Sequence, residues 1–259
     1  YRMDPEVPLI IPEINPHALK SDSQLIASPN CSTTIMLMAL APLHRHFKIR
    51  RVVAATYQAA SGAGYKAIQD LLGETKAYLD GLPFERSVIP HPYAFNLFLH
   101  NSALHPSGYN DEERKMIFES RKILEDDAIA ISATCVRVPV LRAHSEALNV
   151  EFCHPVTVEQ AQEILSQSPG VALLENRDDN RFPMPVDASG QDLVYYGRIR
   201  QDTSHPHALD LWVVGDQLLK GAALNTVQIA ELLTQRAPTI PNATKGSSIF
   251  DSDLGVISR

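Results

Sequence analysis

Residues 27–41 read Ala-Ser-Pro-Asn-Cys-Ser-Thr-Thr-Ile-Met-Leu-Met-Ala-Leu-Ala, which ends one segment and begins another around a single thiol. Pro29 and Asn30 halt the preceding segment, the hydroxyls at 32–34 can cap a helix, and the apolar run after them predicts a buried helix. Cys31 then lies in the first turn, where free backbone N–H groups and the helix dipole favour the thiolate. The stretch predicts a reactive thiol; the alternative is a small buried hydrophobic residue.

The composition is that of a folded globular protein. With 259 residues, 44% of them hydrophobic, the chain can bury a substantial core in one large or two small domains. A net charge of −7 argues against nonspecific binding to nucleic acid or anionic membranes, and no apolar run reaches the roughly 20 residues that span a bilayer. The cysteines at 31, 135 and 153 are too widely spaced for a zinc site or a disulfide framework, which favours a reducing compartment.

Hydrophobic patterning predicts strands alternating irregularly with helices. The predicted strands are 7–15, 50–58, 128–139, 147–152 and 209–214. The predicted helices are 65–82, 111–124 with Asp111 as N-cap, 158–167 with Thr157 as N-cap, and 226–235. Strict strand-helix-strand alternation and a Gly-x-Gly-x-x-Gly turn are both missing from the sequence, so we predict an α+β domain around a mixed, partly antiparallel sheet with helices on one face.

A second group of chemistry-bearing residues lies in 132–146. Arg137, on a predicted strand, can bind a carboxylate through two parallel hydrogen bonds, and His144 can exchange protons near neutral pH. An inter-strand ion pair and a surface histidine are the structural alternatives. Together with Cys31, His144 fits the pattern of a thiol nucleophile with an acid/base partner distant in sequence.

Several separated motifs in this order resemble aspartate-semialdehyde dehydrogenase, with wording nearest the cyanobacterial and plastid branch. The resemblance runs from about Arg2 to Leu233. Its motifs are Pro-Asn-Cys-Ser-Thr at 29–33, Tyr-Gln-Ala-Ala-Ser-Gly-Ala-Gly at 57–64, Ala-Phe-Asn-Leu at 94–97, Cys-Val-Arg-Val-Pro-Val at 135–140, Arg-Ala-His-Ser at 142–145 and Lys-Gly-Ala-Ala-Leu-Asn at 220–225. It implies a catalytic domain like that of the glyceraldehyde-3-phosphate dehydrogenase type, although that family's own Ser-Cys-Thr-Thr-Asn motif is absent from the sequence.

The resemblance implies reversible reduction of aspartyl phosphate to aspartate semialdehyde, the branch step toward lysine, threonine and methionine. It gives Cys31 the role of nucleophile, His144 that of proton carrier, and Gln58 that of orienting the covalent intermediate. Asn30 belongs to the substrate site, and Arg137 would hold the substrate carboxylate. The remaining implied substrate contacts are Glu112 for the ammonium group and Arg2 and Lys115 for phosphate.

The same resemblance implies NADP as cofactor, with Ser61, Gly62 and Asn225 at positions that contact the nicotinamide cofactor in relatives. It implies no metal ion. We further expect a homodimer, small-molecule substrate and phosphate as ligands, and a cytoplasmic or plastid-stroma location. A cysteine protease would also pair Cys31 with His144, but it would leave the cationic residues Arg137 and Lys115 without a purpose.

The resemblance divides the chain into four parts. Residues 1–26 would end a nucleotide-binding portion, 27–219 form the catalytic and dimerisation domain, 220–236 a helix that packs on the nucleotide-binding domain in relatives, and 237–259 an extension.

The nucleotide-binding half that relatives carry before the segment beginning at Arg2 is not in the sequence, and three explanations stay open. The chain can be part of a full enzyme, or one half of a split enzyme with an exposed apolar surface around Val227, Ile229 and Leu232. It can also be a catalytic-domain relic kept as a non-catalytic structural subunit.

Overall fold

The computed structural model describes residues 1–20 and 22–236. Within them lie six α-helices: α1 (Cys31–Phe47), α2 (Tyr65–Asp80), α3 (Asp111–Leu124), α4 (Val158–Ser166), α5 (Pro185–Ala188) and α6 (Leu224–Arg236). The strands are β1 (Ile49–Gln58), β2 (Phe98–Leu99), β3 (Ala130–Arg137), β4 (His144–Phe152), β5 (Val171–Leu173), β6 (Val194–Gln201) and β7 (Ala208–Gly215). The predicted extension at 237–259 lies outside the described residues.

The strands of the described part form one mixed sheet of seven strands in the order β2-β3-β1-β4-β7-β6-β5. β1 runs parallel to β3 and β5 parallel to β6, and the other neighbours are antiparallel. The α+β prediction with a mixed, partly antiparallel sheet is therefore confirmed.

Helix α1 is the centre of the layer that covers one face of the sheet. It packs against β1, β4, β6 and β7 below it and against α3 and α4 beside it. Its residues 32–44 are all buried, because the apolar run has no polar side to expose. The nucleophile candidate at its first turn is thereby held by the main hydrophobic core. In the described residues, no helix is long and apolar enough to cross a bilayer.

The segment before α1 differs from its prediction as a strand. It makes a single bridge between Leu9 and Ala27 and otherwise turns, with the Ile14 N–H donating to Ile11 O at 2.9 Å. Pro8 and Pro12 have no N–H to donate to a strand ladder, and this keeps the segment out of the sheet.

Helix α6 packs on this N-terminal segment. Ile229 is buried together with Ile10 and Leu19, and Leu232 is partly buried beside them. The split-enzyme expectation of an exposed apolar surface is therefore wrong for these two α6 residues, and only Val227 of the three is more than half exposed, at 54%.

Elsewhere the predicted elements are found with shifted ends. The N-cap of α3 is Asn110, whose side chain accepts from the Glu113 N–H, and Asp111 is the first helical residue. Thr157 is the N-cap of α4, as predicted. The sequence analysis missed β2, β5, β6 and α5, which are short or mixed in polarity.

Candidate functional site

A cleft of about 930 Å³ opens where α1 begins, bordered by the ends of β1, β3 and β4 and by residues 217–227. Its walls include most of the residues singled out in the sequence: Arg2, Asn30, Cys31, Gln58, Ser61, Gly62, Glu112, Lys115, Arg137 and His144. A smaller hollow of about 450 Å³ on the face of the sheet opposite α1 contains none of them. The first cleft is the candidate active site.

Asn30 fixes the start of the helix that carries Cys31. Its Oδ1 accepts from the Thr33 N–H at 3.1 Å, and its Nδ2 donates to Glu112 Oε1 at 2.8 Å. The hydroxyls at 32–34 were expected to cap α1, but the cap is the Asn30 side chain, and Thr34 Oγ1 instead donates to Asn30 O. Each polar group of Asn30 is therefore committed, and Cys31 follows a rigid residue.

The thiol of Cys31 is held in its neutral form. Burial and then the charge of Glu112 raise its pKa to about 12, against the lowering effects of Arg137 and the Ser32 N–H. The prediction that the helix N-terminus favours a thiolate is therefore wrong here, because loss of water outweighs the helix dipole. Gly221 packs directly on this residue, and a methyl group there would lie 2.9 Å from Cys31 Cβ.

His144 is fully buried at the start of β4 and presents Nε2 to the cleft. Its Nδ1 accepts the Ala59 N–H at 3.0 Å, so the neutral ring carries its proton on Nε2. That nitrogen has no partner in the described part of the chain. Burial and the nearby Arg137 charge lower the pKa of His144 to about 3, which keeps the ring neutral at physiological pH.

Arg137 ends β3 and is only 5% exposed. Nη1 donates to Ala59 O at 3.2 Å, and Nη2 contacts His100 Nε2 at 2.8 Å. Its Nε is buried and has no hydrogen-bond partner among the described residues. The residue lines the cleft, and a guanidinium with N–H groups left unpaired suits an anionic ligand there.

Glu112 and Lys115 form the predicted pair on one face of α3, with 3.3 Å between Lys115 Nζ and Glu112 Oε2. The glutamate is not on a solvated face, since it is only 5% exposed. Burial would raise its pKa, but His100, Asn30 and Lys115 together lower it below the usual value. A negative charge therefore persists in the cleft.

Arg2 reaches the cleft from the N-terminal segment. Its Nη1 lies 3.2 Å from Glu119 Oε1, and the other oxygen of Glu119 accepts the Asn30 N–H at 2.6 Å. Lys122 ties the same segment to α3 by donating to three carbonyl oxygens, those of Arg2, Asp4 and Val7.

Gln58 and the turn after β1 complete the wall. Gln58 Nε2 donates to Ser32 Oγ at 2.9 Å, and Ser61 Oγ accepts from the Gln217 amide. Gly62 leaves a bare backbone, where a methyl group would lie 2.9 Å from both Arg137 Nη1 and His144 Cε1.

Asn225 is placed behind the cleft wall. Its side chain is fully buried and contacts Lys220 Nζ, Ile10 O and Ser28 Oγ at 3.0–3.1 Å. The predicted cofactor contact of Asn225 stays a prediction, and its amide as found here fastens α6 to the segment before Cys31.

Three cleft-associated residues were missed in the sequence. Glu119 lies two helical turns after Glu112, and that spacing of seven on α3 could have revealed it. Gly221 stands inside a quoted motif. His100 follows a two-residue strand and gives no pattern from which its role could be read.

The chain is similar to several known proteins. Residues 40–220 match the family model described as the semialdehyde dehydrogenase dimerisation domain. The chain is 54% identical to aspartate-semialdehyde dehydrogenase of Prochlorococcus marinus, over 92% of this chain and 69% of the relative. It is also 54% identical to the enzyme of that name from Synechocystis, over 91% of this chain and 70% of the relative.

A solved structure shares the fold as well. Aspartate semialdehyde dehydrogenase II of Vibrio cholerae, complexed with ASA, matches with a TM-score of 0.88 and 42% identity, over 91% of this chain and 70% of that one.

Proposed function

This chain belongs to the aspartate-semialdehyde dehydrogenase family, and on that premise we propose that it supplies the catalytic groups for NADP-dependent reduction of aspartyl phosphate to aspartate semialdehyde, through a thioester on Cys31. The product would feed lysine, threonine and methionine synthesis. The observation that carries the proposal is the convergence in one cleft of a thiol, a neutral histidine, a buried arginine and a charged buried glutamate from separate motifs.

The substrate is held by opposite charges at fixed places. The unpaired Nε–H of Arg137 and a second N–H of the guanidinium bind the substrate carboxylate, and Glu112 binds the ammonium group. Arg2 and Lys115 are partly exposed on the cleft wall and take the phosphate as it leaves. Positioning by these four groups brings the acyl carbon to Cys31.

Substrate binding also prepares the thiol. Glu112 raises the pKa of Cys31, and pairing with a substrate ammonium cancels that effect. Cys31 then loses its proton more readily: Sγ bonds to the acyl carbon, the bond from that carbon to the phosphate oxygen breaks, and the departing phosphate carries the proton away. Gln58, held on Ser32, orients the acyl group beside the thiol.

His144 acts as a donor toward the cleft. Its Nδ1 is fixed by the Ala59 N–H, so the neutral ring donates a hydrogen bond from its Nε2–H to the negative oxygen that develops on the acyl carbon. A neutral histidine donor of this kind needs a lowered pKa, which burial provides.

The cofactor proposal rests on the family resemblance and on the place of Ser61 and Gly62 in the cleft wall, where Gly62 lets Arg137 and His144 approach the backbone more closely than a side chain would allow. The backbone at Ser61 and Gly62 would hold the nicotinamide there. When bound, NADPH supplies the hydride for the acyl carbon.

A homodimer is part of the same proposal. The matched model is a dimerisation domain, and the sheet face opposite α1 carries a hollow lined by Ala55, Asn149 and Trp212. A second copy seated on that face would cover it.

The test compares two cysteines in the full-length protein that carries this chain. Phosphate-dependent NADPH formation from aspartate semialdehyde should fall more than about 10³-fold in Cys31→Ser, because the hydroxyl is a far weaker nucleophile. Cys153→Ser is the matched control, since that thiol is exposed and outside the cleft, and it should keep wild-type turnover. An inert wild type, or turnover retained in Cys31→Ser, would contradict the proposal.

A further inference from the structure

His100 lies in the cleft wall at the end of β2. Its backbone N–H donates to Cys135 O at 2.8 Å, and this contact sets the residue beside the end of β3, where Arg137 emerges. The imidazole ring lies between Arg137 and Ser102. Its Nε2 is 2.8 Å from Arg137 Nη2, and its Nδ1 is 3.1 Å from Ser102 Oγ.

The two contacts determine the state of the ring. A guanidinium nitrogen only donates hydrogen bonds, so Nε2 must be the unprotonated acceptor. A neutral ring then has its proton on Nδ1, facing Ser102 Oγ. The Ser102 backbone N–H also lies 3.2 Å from Nδ1 and would favour the other tautomer, but the shorter contact with the charged Arg137 is the stronger of the two. Burial and the charge of Arg137 lower the pKa of His100 to about 4, so this neutral form prevails at physiological pH.

The contact restricts how the guanidinium plane can turn. Each terminal nitrogen donates one hydrogen bond: Nη1 to Ala59 O and Nη2 to His100 Nε2. Turning the guanidinium plane about the Cδ–Nε bond would break both hydrogen bonds. The Nε–H, which lacks a partner in the described part of the chain, and the second N–H groups of the terminal nitrogens are therefore presented in one fixed plane.

We propose that His100 is a positioning residue that fixes the plane of the Arg137 guanidinium for the substrate carboxylate. The inference rests on the proposed function of Arg137 and adds to it a second residue, from a different strand, that sets carboxylate affinity. His100 itself does not touch the reacting atoms. It acts by keeping Arg137 organised before substrate arrives, which reduces the ordering cost of binding.

Two amide substitutions separate the contacts of the ring. The amide of Asn reaches about as far as Nδ1, so His100→Asn keeps the Ser102 contact and loses the one to Arg137. Gln reaches about as far as Nε2, so His100→Gln keeps an acceptor for Arg137 and loses the Ser102 contact. In the full-length enzyme we expect the KM for aspartate semialdehyde to rise about 10-fold in His100→Asn, with kcat and the KM for phosphate within about two-fold of wild type. His100→Gln should restore the KM.

Two results would overturn the inference. An equal rise in KM in both variants would mean that the ring only stabilises its loop, and an unchanged KM in His100→Asn would mean that the ring does not affect Arg137. A second measurement does not depend on turnover. The ¹⁵N spectrum of the His100 ring, assigned by comparison with His100→Gln, should report a protonated Nδ1 and an unprotonated Nε2. The opposite tautomer would overturn the inference even if the enzyme is active, whereas an inert wild type with the expected tautomer would count against the proposed function alone.

Discussion

Helix α3 and strand β4 both bury carboxyl groups near the nucleophile, but only those on α3 receive hydrogen bonds. Glu112 and Glu119 on α3 are 5% and 1% exposed, and Glu146 on β4 is fully buried. Glu112 has hydrogen-bond donors from Asn30, Gln58 and Lys115, and Glu119 has donors from Asn30 and Arg2. Neither oxygen of Glu146 has a partner among the described residues.

The pKa values follow the balance between burial and hydrogen-bond donors. The pKa of Glu112 is lowered, that of Glu119 is raised because burial outweighs its two donors, and that of Glu146 is raised well above its usual value by burial alone. Similar burial thus gives a charged group at the cleft and a neutral one beneath it. Only the charged group can bind an ammonium ion and act on the thiol.

Removing the charge at the cleft should have the largest effect of three matched substitutions. Glu112→Gln loses an ionic contact worth about 1.5–3 kcal/mol, so the KM for aspartate semialdehyde should rise about 10- to 150-fold. In the absence of substrate, the pKa of Cys31 should fall, because a negative charge that raises it is gone. Alkylation of Cys31 by iodoacetamide at pH 8 should therefore become several-fold faster.

The control for that alkylation is Glu163→Gln, a neutralised and exposed carboxylate on α4, measured in a Cys153→Ser background so that the other exposed thiol does not react. A rate for Glu112→Gln that equals the control would mean that the Glu112 charge does not reach the thiol.

The partly satisfied carboxyl on α3 should give an intermediate effect. Glu119 joins Arg2 to the backbone N–H of Asn30, and Glu119→Gln can replace only one of these two acceptors. We expect the KM for phosphate to rise about 3- to 10-fold, because Arg2 loses its anchor, while the KM for aspartate semialdehyde changes less. Initial rates at varied phosphate measure this, and equal changes in both constants would show a general loss of the fold instead.

The features that could be predicted from the sequence are those that a local pattern of residues determines, such as where a helix begins. The start of α1 at Cys31 follows from Asn30 and an apolar run, and the capped start of α4 follows from Thr157. The neutral state of the Cys31 thiol could not be predicted in this way. Glu112 is far from Cys31 in the sequence and reaches the cleft only when α3 packs on α1. His100 was missed for the same reason, since the short pairing of β2 with β3 is what brings it to Arg137.

Neutralising the buried carboxyl on β4 should have the smallest effect on catalysis. Glu146 is the last of the effects that raise the pKa of Cys31, whereas Glu112 comes directly after burial, so Glu146→Gln should change the alkylation rate of Cys31 far less than Glu112→Gln. Its effect lies in the pH dependence of stability. In the unfolded chain, Glu146 ionises above about pH 4.3, whereas its raised pKa in the folded protein keeps it protonated. Rising pH therefore favours unfolding of the wild type by up to about 1.4 kcal/mol per pH unit until the folded pKa is reached.

The glutamine does not titrate. Urea unfolding at pH 5, 6, 7 and 8 should therefore show a stability advantage for Glu146→Gln that widens with pH, whereas the difference between Glu163→Gln and the wild type should not change with pH. A constant difference for Glu146→Gln across that range would mean that Glu146 is ionised in the folded protein, and the contrast between α3 and β4 would fail.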